Sequence, residues 1–339
     1  MRLMEEAEDV SNVENEPDEL RCGGVATAAP EPELLRPREV PLGGPRAMLV
    51  GRTLPNRDRR MVGAWCFADF FGPADIAGQD GMQVPPHPHT GLQTVSWLLE
   101  GQVLHRDSLA NTQLIEPGQL NLMTAGVGIS HSEESPPDHT PILHGVQLWV
   151  ALPEDQRGVD PHFEHHGDLP VITTPEGSAT VLMGSLLGGT SPAKTYTPLV
   201  GAELTTAPGA TMRIPLQDDF EHAVLALSDL TVNGEQVSTG EMLYLGTGRE
   251  DVTIGAAGAG RAMLLGGVPF EEEIVMWWNF VGRSHDEVAQ ARAEWERGRE
   301  DSGAQGRFGV VRGYAAPALA APALPNAALR ARGRVRDRS

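Results

Sequence analysis

Between Gly81 and Glu134 the chain carries two short pairs that constrain everything else: His87-Pro88-His89 and His131-Ser132-Glu133. Side chains two apart on a strand point to the same face of a sheet. If these segments are strands, each pair aims both members at one point. Three imidazoles and one carboxylate meeting inside a β-barrel form a mixed nitrogen and oxygen site. Such a site suits Fe(II), Mn, Ni, Cu or Zn rather than Ca or Mg. The expectation is one divalent transition metal held by His87, His89, His131 and Glu133.

The remaining sequence fits an all-β frame. Glycine (39) and proline (27) fall between short apolar runs, which favours a turn-rich β architecture over a helical bundle. A length of 339 residues allows two domains, each with its own core. The formal net charge of -20 disfavours non-specific nucleic-acid binding. Cys22 and Cys66 are the only cysteines, and Cys22 sits in a segment expected to be mobile, so a structural disulfide is not expected. No apolar run approaches transmembrane length, and the start, with Glu5, Glu6, Glu8 and Asp9, is acidic where a secretory signal is basic. A cytoplasmic protein follows as the default.

Residues 1–42 are acidic and rich in Pro and Ala, and are expected to be disordered. A first domain spans 43–190. Within it, Thr94–Leu99 reads as a strand turning at Glu100-Gly101 into a hairpin partner, Gln102–Ser108. A second domain spans 191–312. Its Val237–Leu245 resembles Ile115–Met123, since in both a Gly turn feeds a short apolar strand; this suggests two barrels of one type. The second half has no His-x-His, so its barrel is expected to be metal-free. Ile274–Val281 reads as one apolar strand. Ser284 with Glu287 is a capping-box pattern for a helix over about 285–299, packed through Trp295. The Ala-, Pro- and Arg-rich residues 313–339 are expected to be a disordered tail.

A lone histidine is more often a hydrogen-bonded core or surface residue than a ligand. His105, His139 and His144 lack partners at strand spacing and are read as lying behind the ligands or at the surface. His162, Glu164, His165 and His166 read as an exposed, loop-borne cluster without function. No phosphate loop precedes a helix, and no nucleophile elbow appears. Cys66 lies in an apolar run and reads as packed.

His87-Pro-His89-x-Gly91, Leu99-Glu100-Gly101, His105-Arg106-Asp107-Ser108, Met123-Thr124-Ala125-Gly126, His131-Ser132-Glu133 and Gln147-Leu148-Trp149-Val150 together resemble the pirin family of the cupin superfamily, over roughly 45–283. The resemblance implies a bicupin: two facing antiparallel β-barrels of jelly-roll type, with one metal, usually iron, in the first. Carried onto matching positions, the family's ligands are again His87, His89, His131 and Glu133. Some pirins are quercetin 2,3-dioxygenases, which open the flavonol with O2 and release carbon monoxide. A eukaryotic pirin is instead regarded as an iron-dependent transcriptional co-regulator, and a regulator that docks on a protein partner is the alternative reading for this chain. Where many pirins have Arg and then Glu after the second histidine, this chain has Thr90 and Gln93, implying a less charged pocket mouth and leaving Glu133 as the carboxylate ligand. The enzyme reading gives Fe(II), a small aromatic substrate, O2 and Glu133 as acceptor of the substrate hydroxyl proton. A monomer is expected, because the two barrels cover one another.

Overall fold

The computed structural model describes residues 30–42, 48–300 and 306–335. In the first half the strands are β1 (Glu33–Leu35), β2 (Arg38–Leu42), β3 (Met48–Leu54), β4 (Trp65–Asp75), β5 (Gln83–His89), β6 (Leu92–Glu100), β7 (Val103–Asp107), β8 (Thr112–Ile115), β9 (Leu120–Thr124), β10 (Ile129–Glu134), β11 (Ile142–Ala151) and β12 (His162–His166). The second half adds β13 (Val171–Thr174), β14 (Gly177–Met183), β15 (Ser185–Leu186), β16 (Gly189–Thr190), β17 (Leu199–Thr206), β18 (Thr211–Pro215), β19 (Glu221–Ala226), β20 (Leu230–Val232), β21 (Glu235–Val237), β22 (Met242–Gly246), β23 (Asp251–Gly255), β24 (Gly260–Gly267), β25 (Val275–Trp277), β26 (Phe280–Gly282) and the helix α1 (His285–Glu300).

These strands close two antiparallel barrels of jelly-roll type. Each pairs a seven-stranded sheet with a four-stranded one: β12-β9-β6-β11-β4-β3-β2 with β5-β10-β7-β8, and β1-β22-β19-β24-β17-β14-β13 with β18-β23-β20-β21. The seven-stranded sheets face each other. Trp65, Phe67, Trp97 and Trp149 of the first and Met183, Leu225, Met242 and Leu265 of the second belong to one buried apolar layer. Polar ties cross it. Trp97 Nε1 donates to Glu203 Oε2 at 2.9 Å, and Gly63 N donates to Glu221 Oε2 at 2.8 Å. The second barrel is filled by residues such as Val181, Leu204, Ile214, Val224, Val252 and Leu264.

The two Gly turns noted in the sequence are equivalent. Gly118 precedes β9 with φ 82° and Gly240 precedes β22 with φ 83°, left-handed conformations that glycine enters without steric cost. Each strand then enters its own seven-stranded sheet.

Several boundaries differ from expectation. Residues 30–42 are strand-forming: β1 pairs with β22 of the second barrel and β2 with β3 of the first, so the start of the described chain ties both barrels. Residues 1–29 lie outside the described residues. The second barrel begins near residue 171, not 191, because β13 and β14 join its large sheet through β17. β6 and β7 are not a hairpin. At Gly101, where an added Cβ would stand 2.6 Å from Ile142 O, the chain crosses to the four-stranded sheet. Ile274–Val281 is not one strand but the hairpin β25–β26, reversed at Trp278 and Asn279.

The tail expected to be disordered is packed through residue 335. Ala321 of the tail, with Phe308 just before it, joins Trp277, Trp278, Phe280 and Trp295 in a fourth core cluster. Leu319 N donates to Pro86 O at 2.8 Å on β5, and Arg334 pairs with Glu221 beneath the second barrel. An Ala/Pro composition hides this because the anchors are single residues, widely spaced. The helix matches its prediction: Glu287 N reaches the Ser284 hydroxyl at 3.2 Å, and Val288, Ala291 and Trp295 are buried.

Phe308 is buried against Phe280 and Trp295, at ring distances of 5.8 and 5.7 Å. Phe308→Ala is expected to cost about 3–5 kcal/mol in a denaturant melt. A cost below about 0.5 kcal/mol, the level of an unconstrained surface residue, would mean that the segment from residue 306 leading into the tail does not dock.

Candidate metal centre

β5 holds three prolines, Pro85, Pro86 and Pro88, which cannot donate to a ladder. It lies accordingly at the edge of its sheet, against β10 alone. The register places His131 opposite His87 and Ile129 opposite His89, while on the other side of β10 Glu133 faces His105 and His131 faces Asp107. The alternation of neighbouring strands thus brings His87, His89, His105, His131 and Glu133 to one interior face, and all five are buried.

His87, His89 and His131 come together. Their ring centroids are 4.3–5.0 Å apart, one nitrogen of each lies within 4.8 Å of the others, and His89 Nε2 stands 3.0 Å from His131 Nε2. Glu133 falls into a second, overlapping group with His131 and His105. The sequence reading puts His105 behind the ligands or at the surface; the structure buries it beside His131. Its signal was there, in the same one-residue spacing, as His105-x-Asp107.

Burial pushes the His87 imidazole down to about 4 from an ordinary 6.5. It holds His89 well below that value, helped by the neighbouring His87. His131 is depressed by burial and then by His87, His89 and His105. All three are therefore neutral near pH 7, the form that binds a metal. His87 Nδ1 lies 2.9 Å from Pro85 O; a carbonyl only accepts, so Nδ1 carries the proton and Nε2 is free to ligate. Neutral, desolvated nitrogen donors aimed at one point fit a divalent transition metal.

Burial raises the Glu133 carboxyl above its ordinary value, opposed by His105 and by the Ser96 hydroxyl. Ser96 Oγ lies 3.1 Å from Glu133 Oε1 and 3.0 Å from Gln147 Oε1. One hydroxyl proton satisfies only one of these acceptors. When Glu133 is protonated, it donates to Ser96 and Ser96 to Gln147, so the site has a place for one proton.

Gln93 does not sit at a pocket mouth. It is buried on the opposite face of β6, its amide donating to Thr124 Oγ1 at 2.9 Å and Lys194 O at 3.1 Å. Thr90 is buried too, and its carbonyl accepts from Val281 N of β26. His139 is half-buried, and His144 packs edge-on against Phe70. The His162–His166 cluster is the edge strand β12, not a loop; Glu164 stands 3.4 Å from His162 Nε2 and 3.1 Å from His166 Nε2. A groove of about 830 Å³ between Thr90, Gly126, Arg157, Glu287 and Arg307 contains none of the clustered histidines.

The buried imidazoles set a pH dependence. A histidine whose folded pKa lies below its unfolded value takes up its proton first in the unfolded chain. Its contribution to stability is full above pH 6.5 and is lost as pH falls toward about 4. The melting temperature of metal-free protein is expected to fall across this window, with His87 alone accounting for about 3 kcal/mol at its lower end. His87→Ala should flatten that fall, and a flat wild-type profile would contradict the burial of neutral histidine.

Comparison with known proteins gives the family. Residues 47–150 match the Pirin family profile, and 201–301 match that of the Pirin C-terminal cupin domain. A Pseudomonas aeruginosa protein, provisionally named a quercetin 2,3-dioxygenase, is 46% identical over 289 residues, covering 85% of this chain and 89% of its own. A pirin-like protein of Caulobacter vibrioides is 38% identical, covering 74% and 88%. The crystal structure of a quercetin 2,3-dioxygenase from Acinetobacter baumannii superposes with a TM-score of 0.83 at 42% identity, covering 88% of this chain and 97% of that one. Among the described residues, no helix is long and apolar enough to cross a membrane. With both barrels matched in order and the histidines in the first, the chain belongs to the pirin family of the cupin superfamily.

Proposed function

We propose that this chain is an Fe(II)-dependent dioxygenase acting on quercetin-type flavonols, a cytoplasmic monomer that binds a small aromatic substrate and O2. The observation that carries the reading is the convergence of His87, His89 and His131 as neutral, buried donors beside a carboxyl with a raised pKa. Similarity to the proteins from P. aeruginosa and A. baumannii named as quercetin 2,3-dioxygenases supports the substrate class.

When bound, iron supplies the Lewis acidity and the one-electron chemistry that a reaction with O2 requires. The chain's residues do the rest. His87, His89 and His131 would hold the metal, with Glu133, which is grouped with His131 and His105, as a further ligand. Glu133 accepts the hydroxyl proton of the substrate, a role its raised pKa favours. Ser96 and Gln147 orient the carboxyl through their hydrogen bonds. Trp149, edge-on to His89 at 5.2 Å, and the apolar layer behind it keep water from the histidines.

Oxygen uptake by anaerobically iron-loaded protein with quercetin is the test. His131→Ala is expected to lower it more than about 100-fold by loss of metal. Glu133→Gln should slow it about 10²–10⁴-fold by loss of the base. An iron-loaded wild type that consumes no oxygen with a panel of flavonols would instead favour an iron-dependent regulator that docks on a protein partner.

A further inference from the structure

Behind the three histidines, a chain of hydrogen bonds runs from a turn to the metal side of His131. It starts at Asp107, the last residue of β7. Asp107 Oδ1 accepts Leu109 N at 2.9 Å and Asn111 N at 3.0 Å, and Oδ2 accepts Asn111 Nδ2 at 2.8 Å. Three N–H donors on one carboxylate fix it as an acceptor at both oxygens. His105 Nε2 stands 3.3 Å from Oδ2, so it must be the donor. In a neutral imidazole the other nitrogen then carries the lone pair. That nitrogen, His105 Nδ1, stands 3.4 Å from His131 Nδ1, so His131 Nδ1 must bear the proton. His131 Nε2 is left bare, and it is the atom facing His89 Nε2 at 3.0 Å.

We infer that His105 and Asp107 are positioning residues that set the tautomer and ring orientation of His131, with His105 rather than a carboxylate or carbonyl as its immediate acceptor. The inference rests on the metal-site reading above. His105 is itself held in plane by Phe163 of β12, whose ring stacks on it at 4.6 Å and 15°. Residues that orient a ligating histidine through its second nitrogen are commonly worth about 10–100-fold in metal affinity. The arrangement also gives the two carboxyls different roles. Asp107 is saturated by donors from its own turn and reaches the metal side only through His105, whereas Glu133 points into the interior from β10.

Co(II) serves as the probe, through its affinity in competition with a chelator and its visible spectrum. The metal-free melting temperature reports on the fold. His105→Phe keeps the stack on Phe163 but removes both nitrogens, and is expected to weaken Co(II) binding about 10–100-fold and to shift the spectrum. Asp107→Asn presents an amide N–H to His105, favours the opposite tautomer, and should act in the same direction. His105→Gln offers one donor and one acceptor in the same order and should recover most of the affinity and the wild-type spectrum. If His105→Phe fails to fold, the contrast between Asp107→Asn and His105→Gln decides alone. Wild-type affinity and an unshifted spectrum in both His105→Phe and Asp107→Asn, with binding lost in His131→Ala, would overturn the relay while leaving the metal site standing. Equal Co(II) binding by wild type and His131→Ala would overturn the metal site and the relay with it.

Discussion

Burying three imidazoles at one point is the demand that the rest of this structure serves. A buried polar group without a partner costs on the order of 1–3 kcal/mol, so a cluster of them persists only where something compensates. Here the Nδ1 atoms of His87 and His131 turn to partners behind them, Pro85 O and His105, and this leaves Nε2 atoms directed inward. The ligand strands are correspondingly constrained. β5 gives up ladder donors to its prolines, lies at the sheet edge and has Pro86 O paired by Leu319 of the tail. β10 is held on both sides, by β5 and β7, and it carries the residues whose placement matters most.

The second barrel gives the first a wall. On β6, Ser96 points to Glu133, while its neighbour Trp97 points the other way and bonds Glu203 of β17. One strand therefore couples the site to the inter-barrel core through its two faces. Glu203 is in turn held by Arg261 of β24 at 2.6 Å, and Glu221 gathers Gly63 N, Tyr244 Oη and Arg334. Both ends of the described residues reinforce the pairing. β1 belongs to the second barrel and β2 to the first, and Arg334 of the tail returns to the second.

The common face of each candidate pair is legible because a strand's two-residue period needs only local spacing to be read. His87 and His89, and likewise His131 and Glu133, declare their common face in three letters each. Which of them meet is a question of register, and register is not local. It set Glu133 beside His105 rather than beside His87 and His89. The same limit leaves His105 open between a place behind the ligands and the surface, because its partner His131 lies 26 residues on. Gln93 was misplaced for the reverse reason, since spacing from the histidines says nothing of the face on which the next strand presents it. The packed tail was the largest omission. Leu319, Ala321 and Arg334 each anchor through a partner distant in sequence, and an Ala/Pro composition shows no periodicity that would announce it. The helix was read well, because a cap and a one-sided apolar stripe are both local.

The account stands or falls on the metal's address. Anomalous diffraction at the iron edge, from crystals of anaerobically iron-loaded protein, measures it directly. The expected result is one peak in the first barrel, within about 2.0–2.3 Å of Nε2 of His87, His89 and His131, and none in the second. A first barrel without a peak, or a peak on the β12 strand instead, would contradict the central claim.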